Sequence, residues 1–223
     1  MAWGSSGLHN VAMAPQIREA TTDDWSDIWP IVREVVLAGD TFAYSPEMTD
    51  DEARELWMVA APGRTTVAVD GVAVLGTANM YANRAGPGAH VASASFMVAS
   101  TAQGRGVGRA LVEDALTWAR AAGFRAMQFN AVAETNAAAV GLYHSVGFSI
   151  AGTVPEAFDH PEHGSRRAAH HVPEASMRRL LLGSEPCHRR PVGLCCTSRR
   201  LGRSGAARTS KIPASGRVRL SVP

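Results

Sequence analysis

Three glycines in five residues, Gly104, Gly106 and Gly108, sit in the stretch TAQGRGVGRAL, where an apolar run ending at Val98 gives way to a helical pattern. Glycine costs backbone entropy, so a cluster this dense needs a compensating reason. A strand-to-helix turn supplies one. The first turn of a helix carries N–H groups with no intrahelical partner and the positive end of the helix dipole. Glycines let an anion approach those groups without meeting a Cβ. Arg105 and Arg109 add positive charge at the rim. The composite suits a pyrophosphate. Two familiar nucleotide loops fail on particular residues: the spacing is G-x-G-x-G rather than G-x-G-x-x-G, and no lysine stands where a Walker loop needs one. On the glycines alone, a turn that binds nothing stays open.

The elements that must position this turn can be read from the periodicity. QIREA (16–20) reads as a short strand. A helical pattern then runs through Trp25, Ile28, Trp29, Val32, Val35 and Val36, with Thr21 or Thr22 as cap and Gly39 as stop. Pro30 is expected to kink or divide that helix. Thr49 with Glu52 three residues later forms a capping box and opens a second helix. From residue 64 the period changes to two, with Asp70-Gly71 marking a hairpin. HVASASFMVAS is a further strand, and a helix follows from about Gly106 to Ala122. FRAMQFNAV (124–132), TNAAAVGLYHSVG and FSIAGTV then alternate strand, helix and strand. The expected class is mixed α/β. Past residue 155 the pattern weakens, and SRRAAHHVPEASMRRLLL reads as a poor strand, with a last strand placed near 172–182.

Composition bounds the rest. The chain has 223 residues and a formal net charge of +2. Residues 183–223 carry nine basic residues and one acid, so the preceding 182 are net acidic. Three units follow: a leader (1–14), a folded domain (15–182) and a basic tail (183–223) that reads as disordered. Cys187, Cys195 and Cys196 all lie in the tail, so the body holds neither a disulfide framework nor a cysteine nucleophile. No apolar run is long enough to span a membrane, and the N-terminus lacks the pattern of a secretory signal. The expected location is the cytoplasm. His160-x-x-His163 lacks the further ligands of a zinc site, so no metal is expected.

Two segments together resemble a known family. Gln103-x-x-Gly106-x-Gly108, after a strand ending at Val98, resembles the acetyl-CoA loop of the GNAT superfamily of N-acetyltransferases. Asn136, Ala139, Leu142, Tyr143, Gly147 and Phe148 follow at the spacing N-x-x-A-x-x-L-Y-x-x-x-G-F, which resembles the second cofactor motif of that family. The resemblance covers residues 15 to 155 and looks closest to the small-molecule branch that includes phosphinothricin-type acetyltransferases.

The resemblance implies a mostly antiparallel central sheet with splayed middle strands and flanking helices. It implies that the strand SFMVAS bulges away from FRAMQFNAV, and that backbone around Met97 and Val98 pairs with the pantetheine arm of acetyl-CoA. The loop and helix start, Gln103, Gly104, Arg105, Gly106, Val107, Gly108, Arg109 and Ala110, would hold the pyrophosphate. Asn136 would hydrogen-bond the pantetheine or thioester side. Tyr143 would donate a proton to the leaving thiol, with an aromatic packing role as its alternative. A phosphinothricin-type glutamate is missing, since Ser93 stands near its place. Glu134 is the first candidate base, His90 a weaker one, and a water chain competes with both. Phe42 and Tyr44 would line a pocket for a small-molecule primary amine. A homodimer is compatible with the resemblance, and nucleic acid is not an expected partner. Two rivals remain: an acetyl-CoA-sensing module without turnover, and a basic tail that serves as a nucleic-acid arm.

Overall fold

The computed structural model describes residues 14–173. The expected leader, apart from Ala14, and the basic tail with its three cysteines lie outside the described residues. The element order is β1 (Gln16–Glu19), α1 (Trp25–Ala38), α2 (Asp50–Trp57), β2 (Arg64–Asp70), β3 (Ala73–Ala82), β4 (Val91–Val98), α3 (Val107–Ala121), β5 (Ala126–Met127), β6 (Phe129–Ala133), α4 (Ala137–Ser145), β7 (Phe148–His160) and β8 (Gly164–Pro173). Five strands form one sheet in the order β1-β2-β3-β4-β5, and three form another in the order β6-β8-β7. Among the described strands, β4–β5 is the one parallel pairing.

Strand alternation sends side chains to two cores. On one face, α3 lays Leu111, Val112, Ala115 and Ala119 against Ala78, Met80 and Ala94. On the other, α1 and α2 bring Ile28, Val32 and Trp57 onto Val67, Val69 and Met97. Trp57 is fully buried, and its indole N–H donates to Thr77 Oγ1 at 3.0 Å. Burying such a ring is worth up to ~3 kcal/mol. Gly76 marks the closest approach of helix to sheet. A Cβ there would stand 2.8 Å from the Met97 carbonyl oxygen and 3.0 Å from Val107 Cγ1. The missing side chain lets the first residue of α3 sit directly on β3.

Several expectations change. Helix α1 runs through Pro30 undivided, because its buried stripe of Trp25, Ile28, Ile31, Val32 and Val36 lies on the face away from the exposed proline. Residues 156–173 are built into two strands and the turn between them, and residues 174–182 of the expected last strand lie outside the described residues: β7 extends to His160 through two register shifts. SRRAAHHVP is the central strand of the smaller sheet, paired with both β6 and β7. Its polar residues disguised it. A strand bonded on both edges is held by its backbone, and among its described side chains Ala168 and Ala169 are the buried ones. The expected strand 124–132 is broken at Gln128 into β5 and β6, which belong to different sheets.

The start of α1 is fixed by charge. The Asp24 carboxylate accepts from the Arg18 guanidinium at 2.6 and 2.8 Å and from the Thr21 backbone and hydroxyl at 2.7 and 2.9 Å. The Arg18 hydrogen bonds, with those from Thr21, hold its pKa well below the usual carboxylate range. A depressed folded-state pKa contributes stability that is complete above the unfolded value of ~3.9 and lost as pH falls below it. Asp24→Asn should cost about 2 kcal/mol at neutral pH. The loss should shrink as pH is lowered through that range, as read from urea unfolding midpoints.

Candidate functional site

The site begins where β4 loses one neighbour. Val91 and Ala92 pair with Ala126 and Met127, and the Gln128 N–H donates to the Ala92 carbonyl at 2.8 Å. Beyond that point β6 turns to β8, whereas β4 stays paired with β3 as far as Val98↔Gly76. Backbone groups alternate along a strand. The Val91 carbonyl accepts from Asn83 on the β3 side, and the Ala99 N–H donates to Leu75 on that side. By alternation, the N–H and C=O of Phe96 and Val98 face the gap between β4 and β6. Met97, expected to offer its backbone there, turns those groups to β3. The expected bulge in β4 is also corrected. The β3–β4 register is regular, and the irregularity lies across the gap in β6, between Phe129 and Val132, where Ala131 takes a φ of +53°. A left-handed non-glycine residue there bends β6 away from β4.

The gap leads to the glycine turn. Gly104 and Gly106 have φ of +73° and +79°, and a Cβ on either would meet no atom within 4 Å. The first helical hydrogen bond of α3 runs from the Ala110 N–H to the Gly106 carbonyl at 3.1 Å. The amides of Val107, Gly108 and Arg109 therefore precede the ladder and lack intrahelical acceptors. Left-handed glycines followed by open amides make a concavity that an anion fits. Gly108 has a different neighbour, since a Cβ there would lie 3.5 Å from Leu142 Cδ2, in ordinary contact with α4.

A cavity of about 860 Å³ runs along this path. Of the residues predicted for the site, Phe42, Tyr44, Met97, Val98, Gln103, Gly104, Gly106, Val107, Gly108, Arg109, Asn136 and Tyr143 line it. Arg105, Ala110 and Glu134 do not. Arg105 is turned away to Asp70 at the tip of the β2–β3 hairpin, 2.7 Å away. Ala110 already belongs to the helical ladder. Glu134 is exposed beyond the end of β6. His90 also stands outside, its Nδ1 3.0 Å from the Pro87 carbonyl. His160 and His163 stack at 4.5 Å. Among the described residues, no group of three or more His, Cys, Asp or Glu could hold a metal ion.

Tyr143 occupies the inner wall. Its ring lies 4.5 Å from Phe129 and 6.3 Å from Phe96, and burial pushes its phenol pKa well up. The group stays protonated far beyond neutral pH. Asn136 caps α4, its side-chain oxygen accepting from the Ala139 N–H at 3.0 Å, which leaves its amide N–H groups for the cavity. Arg109 donates to Ser145 Oγ at 2.7 Å and thereby ties the start of α3 to the end of α4.

The sequence reading missed Glu34, Asp40, Tyr81, Ser95, Phe96 and Asn130 in the lining. Strand alternation carried a usable signal for part of this set. Tyr81 shares a face with Thr77 and pairs with Ser93 across β3 and β4.

Among known proteins, the profile of the Acetyltransferase (GNAT) family matches residues 16–148. The structure is similar to a GCN5-related N-acetyltransferase from Kribbella flavida, with 59% identity, a TM-score of 0.70, and coverage of 72% of this chain and 98% of that one. It shares its fold with a phosphinothricin acetyltransferase from Sinorhizobium meliloti solved in complex with acetyl-CoA, at 24% identity and a TM-score of 0.65, over 72% of this chain and 88% of that one. N-acetyltransferase aca1 of Schizosaccharomyces pombe is 26% identical over 134 residues, 53% of this chain, which spans 64% of that relative's length. No described helix is long and apolar enough to cross a membrane. The half-paired β4, the open amides of α3 and these matches lead to one assignment: the chain belongs to the acetyltransferase (GNAT) family.

Proposed function

We propose that the protein is an acetyl-CoA-dependent N-acetyltransferase acting on the primary amine of a small molecule. The observation that carries this reading is the continuity of one unpaired backbone edge, from Phe96 and Val98 to the open amides of Val107, Gly108 and Arg109. Such an edge accepts an extended amide-bearing chain as it would a strand, and the helix start that follows accepts its phosphates. When bound there, acetyl-CoA supplies an acetyl thioester open to attack by an amine.

The chain's own residues would do the rest. The Val98 N–H, facing the gap, donates to oxygen where negative charge develops. Tyr143, kept protonated by burial, would offer its phenol O–H as a hydrogen bond to the departing sulfur as negative charge gathers there. Asn136 offers its amide N–H groups to the pantetheine. The amine, with an ordinary pKa of ~10, must shed a proton before it attacks. Glu134 stands outside the cavity lining, so that proton leaves over the hydroxyl floor of Tyr81, Ser93 and Ser95. Phe42 and Tyr44 wall the acceptor side.

Calorimetry of the full chain with coenzyme A tests the cradle. Gly106→Val puts a β-branched residue at a φ of +79° and should weaken binding at least tenfold. Gly141→Ala, in the open middle of α4, should bind normally and gain about 0.5–1 kcal/mol of stability. Tyr143→Phe should lower kcat by roughly a hundredfold or more, with KM for acetyl-CoA little changed. In the wild type, kcat/KM should climb from pH 7 toward ~9 as the amine loses its proton, with no fall from Tyr143, whose raised pKa keeps its proton on throughout. Coenzyme A binding without thiol release from any amine would instead identify a binding module.

A further inference from the structure

Beyond letting the amine's proton leave, the lining around Tyr44 and Tyr81 carries groups that can select the acceptor. Three hydroxyls converge there, from Tyr44, Tyr81 and Ser93. Ser93 is 3% exposed yet lines the cavity, and among the described residues no hydrogen bond engages its side chain. Buried hydroxyls are normally satisfied, so this unspent capacity points to a polar guest. Burial, with Tyr81 close by, pushes the Tyr44 pKa up to about 12, so its phenol stays neutral. Phe42 lies tilted beside Tyr44, with ring centroids 5.4 Å apart, and completes an aromatic wall suited to a cation.

Charge at the mouth has one sign. Glu34 and Asp40 line it and form no ion pair among the described residues, and Ala38 brings the negative end of the α1 dipole to the same place. Among the described lining residues the one cation is Arg109, on α3, already engaged with Ser145 and Glu113. Arg84, at the end of β3, bonds the Asn83 carbonyl and does not line the cavity. Among the described lining residues, a substrate carboxylate would therefore meet two carboxylates, a helix C-terminus and no guanidinium besides the engaged Arg109.

We infer that the acceptor is a cationic amine carrying a second positive charge and no carboxylate, such as a linear diamine, with Tyr44, Tyr81 and Ser93 holding the reacting end and Glu34 and Asp40 the distal ammonium. This rests on the acetyltransferase reading and narrows its substrate. In the reaction the reacting ammonium loses a proton, the free amine attacks the thioester carbonyl and forms the new C–N bond, the C–S bond breaks, and coenzyme A leaves as the thiol, with one proton released overall. The distal ammonium is unchanged.

The test uses the full chain with acetyl-CoA and three acceptors of equal length: cadaverine, n-pentylamine and the matching ω-amino acid, followed by thiol release. Cadaverine should exceed the amino acid in kcat/KM by at least about tenfold. The ratio should shrink in high salt, because exposed charges are screened within ~8 Å at physiological ionic strength. Glu34→Gln with Asp40→Asn should collapse it. Calorimetry of cadaverine against the coenzyme A-saturated protein runs in parallel. Cadaverine binding that the double variant weakens, without turnover, would uphold the charge preference and overturn the catalytic reading. An amino acid used as well as cadaverine, a ratio unmoved by the double variant, or no cadaverine binding and no turnover would overturn the inference.

Discussion

The whole site depends on one strand keeping only half of its hydrogen bonds. β4 is tied to β3 along seven registered pairs but to β5 along only two, after which its outer edge is left to other partners. An unpaired edge is a hazard in most folds because it invites other chains. Here it is sheltered in a cleft whose far wall is β6, and the strand that would have satisfied it is drawn off to β8. The left-handed Ala131 and the break at Gln128 are the local devices that accomplish this. Opening the sheet costs hydrogen bonds that a guest of the right shape restores.

The remaining features follow from holding that edge in place. Gly76 lets Val107 sit on β3, which puts the open amides of α3 directly beyond the end of β4. Asp70 takes Arg105 away from the cleft, while Arg109 and Ser145 clamp the two helices that flank it. The aromatic group of Phe96, Phe129, Tyr143 and Phe148 fills the angle between the two sheets. One buried phenol thus both packs the junction and lines the cavity. The two cores divide the work: the α3 and α4 side positions the glycine turn, and the α1 and α2 side brings Phe42 and Tyr44 to the cavity.

Much of this was legible in the residues. The glycine turn, the capping box at Thr49, the Asp70-Gly71 hairpin and the N-x-x-A-x-x-L-Y spacing are local signals, and each landed on the element it predicted. What escaped was non-local. β8 is held by backbone bonds to two neighbours, so its side chains carry almost no pattern. Whether Met97 or Val98 faces the gap depends on which side β3 lies, which a single strand cannot reveal. Glu134 looked suited to a base because it ends a strand near the motif, yet its direction depends on the turn into α4. Glu34 and Asp40 reach the mouth only because α1 ends there, a fact of helix placement rather than of sequence pattern.

Amide hydrogen exchange, resolved residue by residue on the full chain with and without coenzyme A, tests the central claim most directly. The account predicts that Phe96, Val98, Val107, Gly108 and Arg109 slow sharply on binding, while Met97, already bonded to β3, changes little. Coenzyme A binding that leaves the Phe96 and Val98 amides unprotected would contradict it, since the half-paired strand would then not be where the cofactor lies.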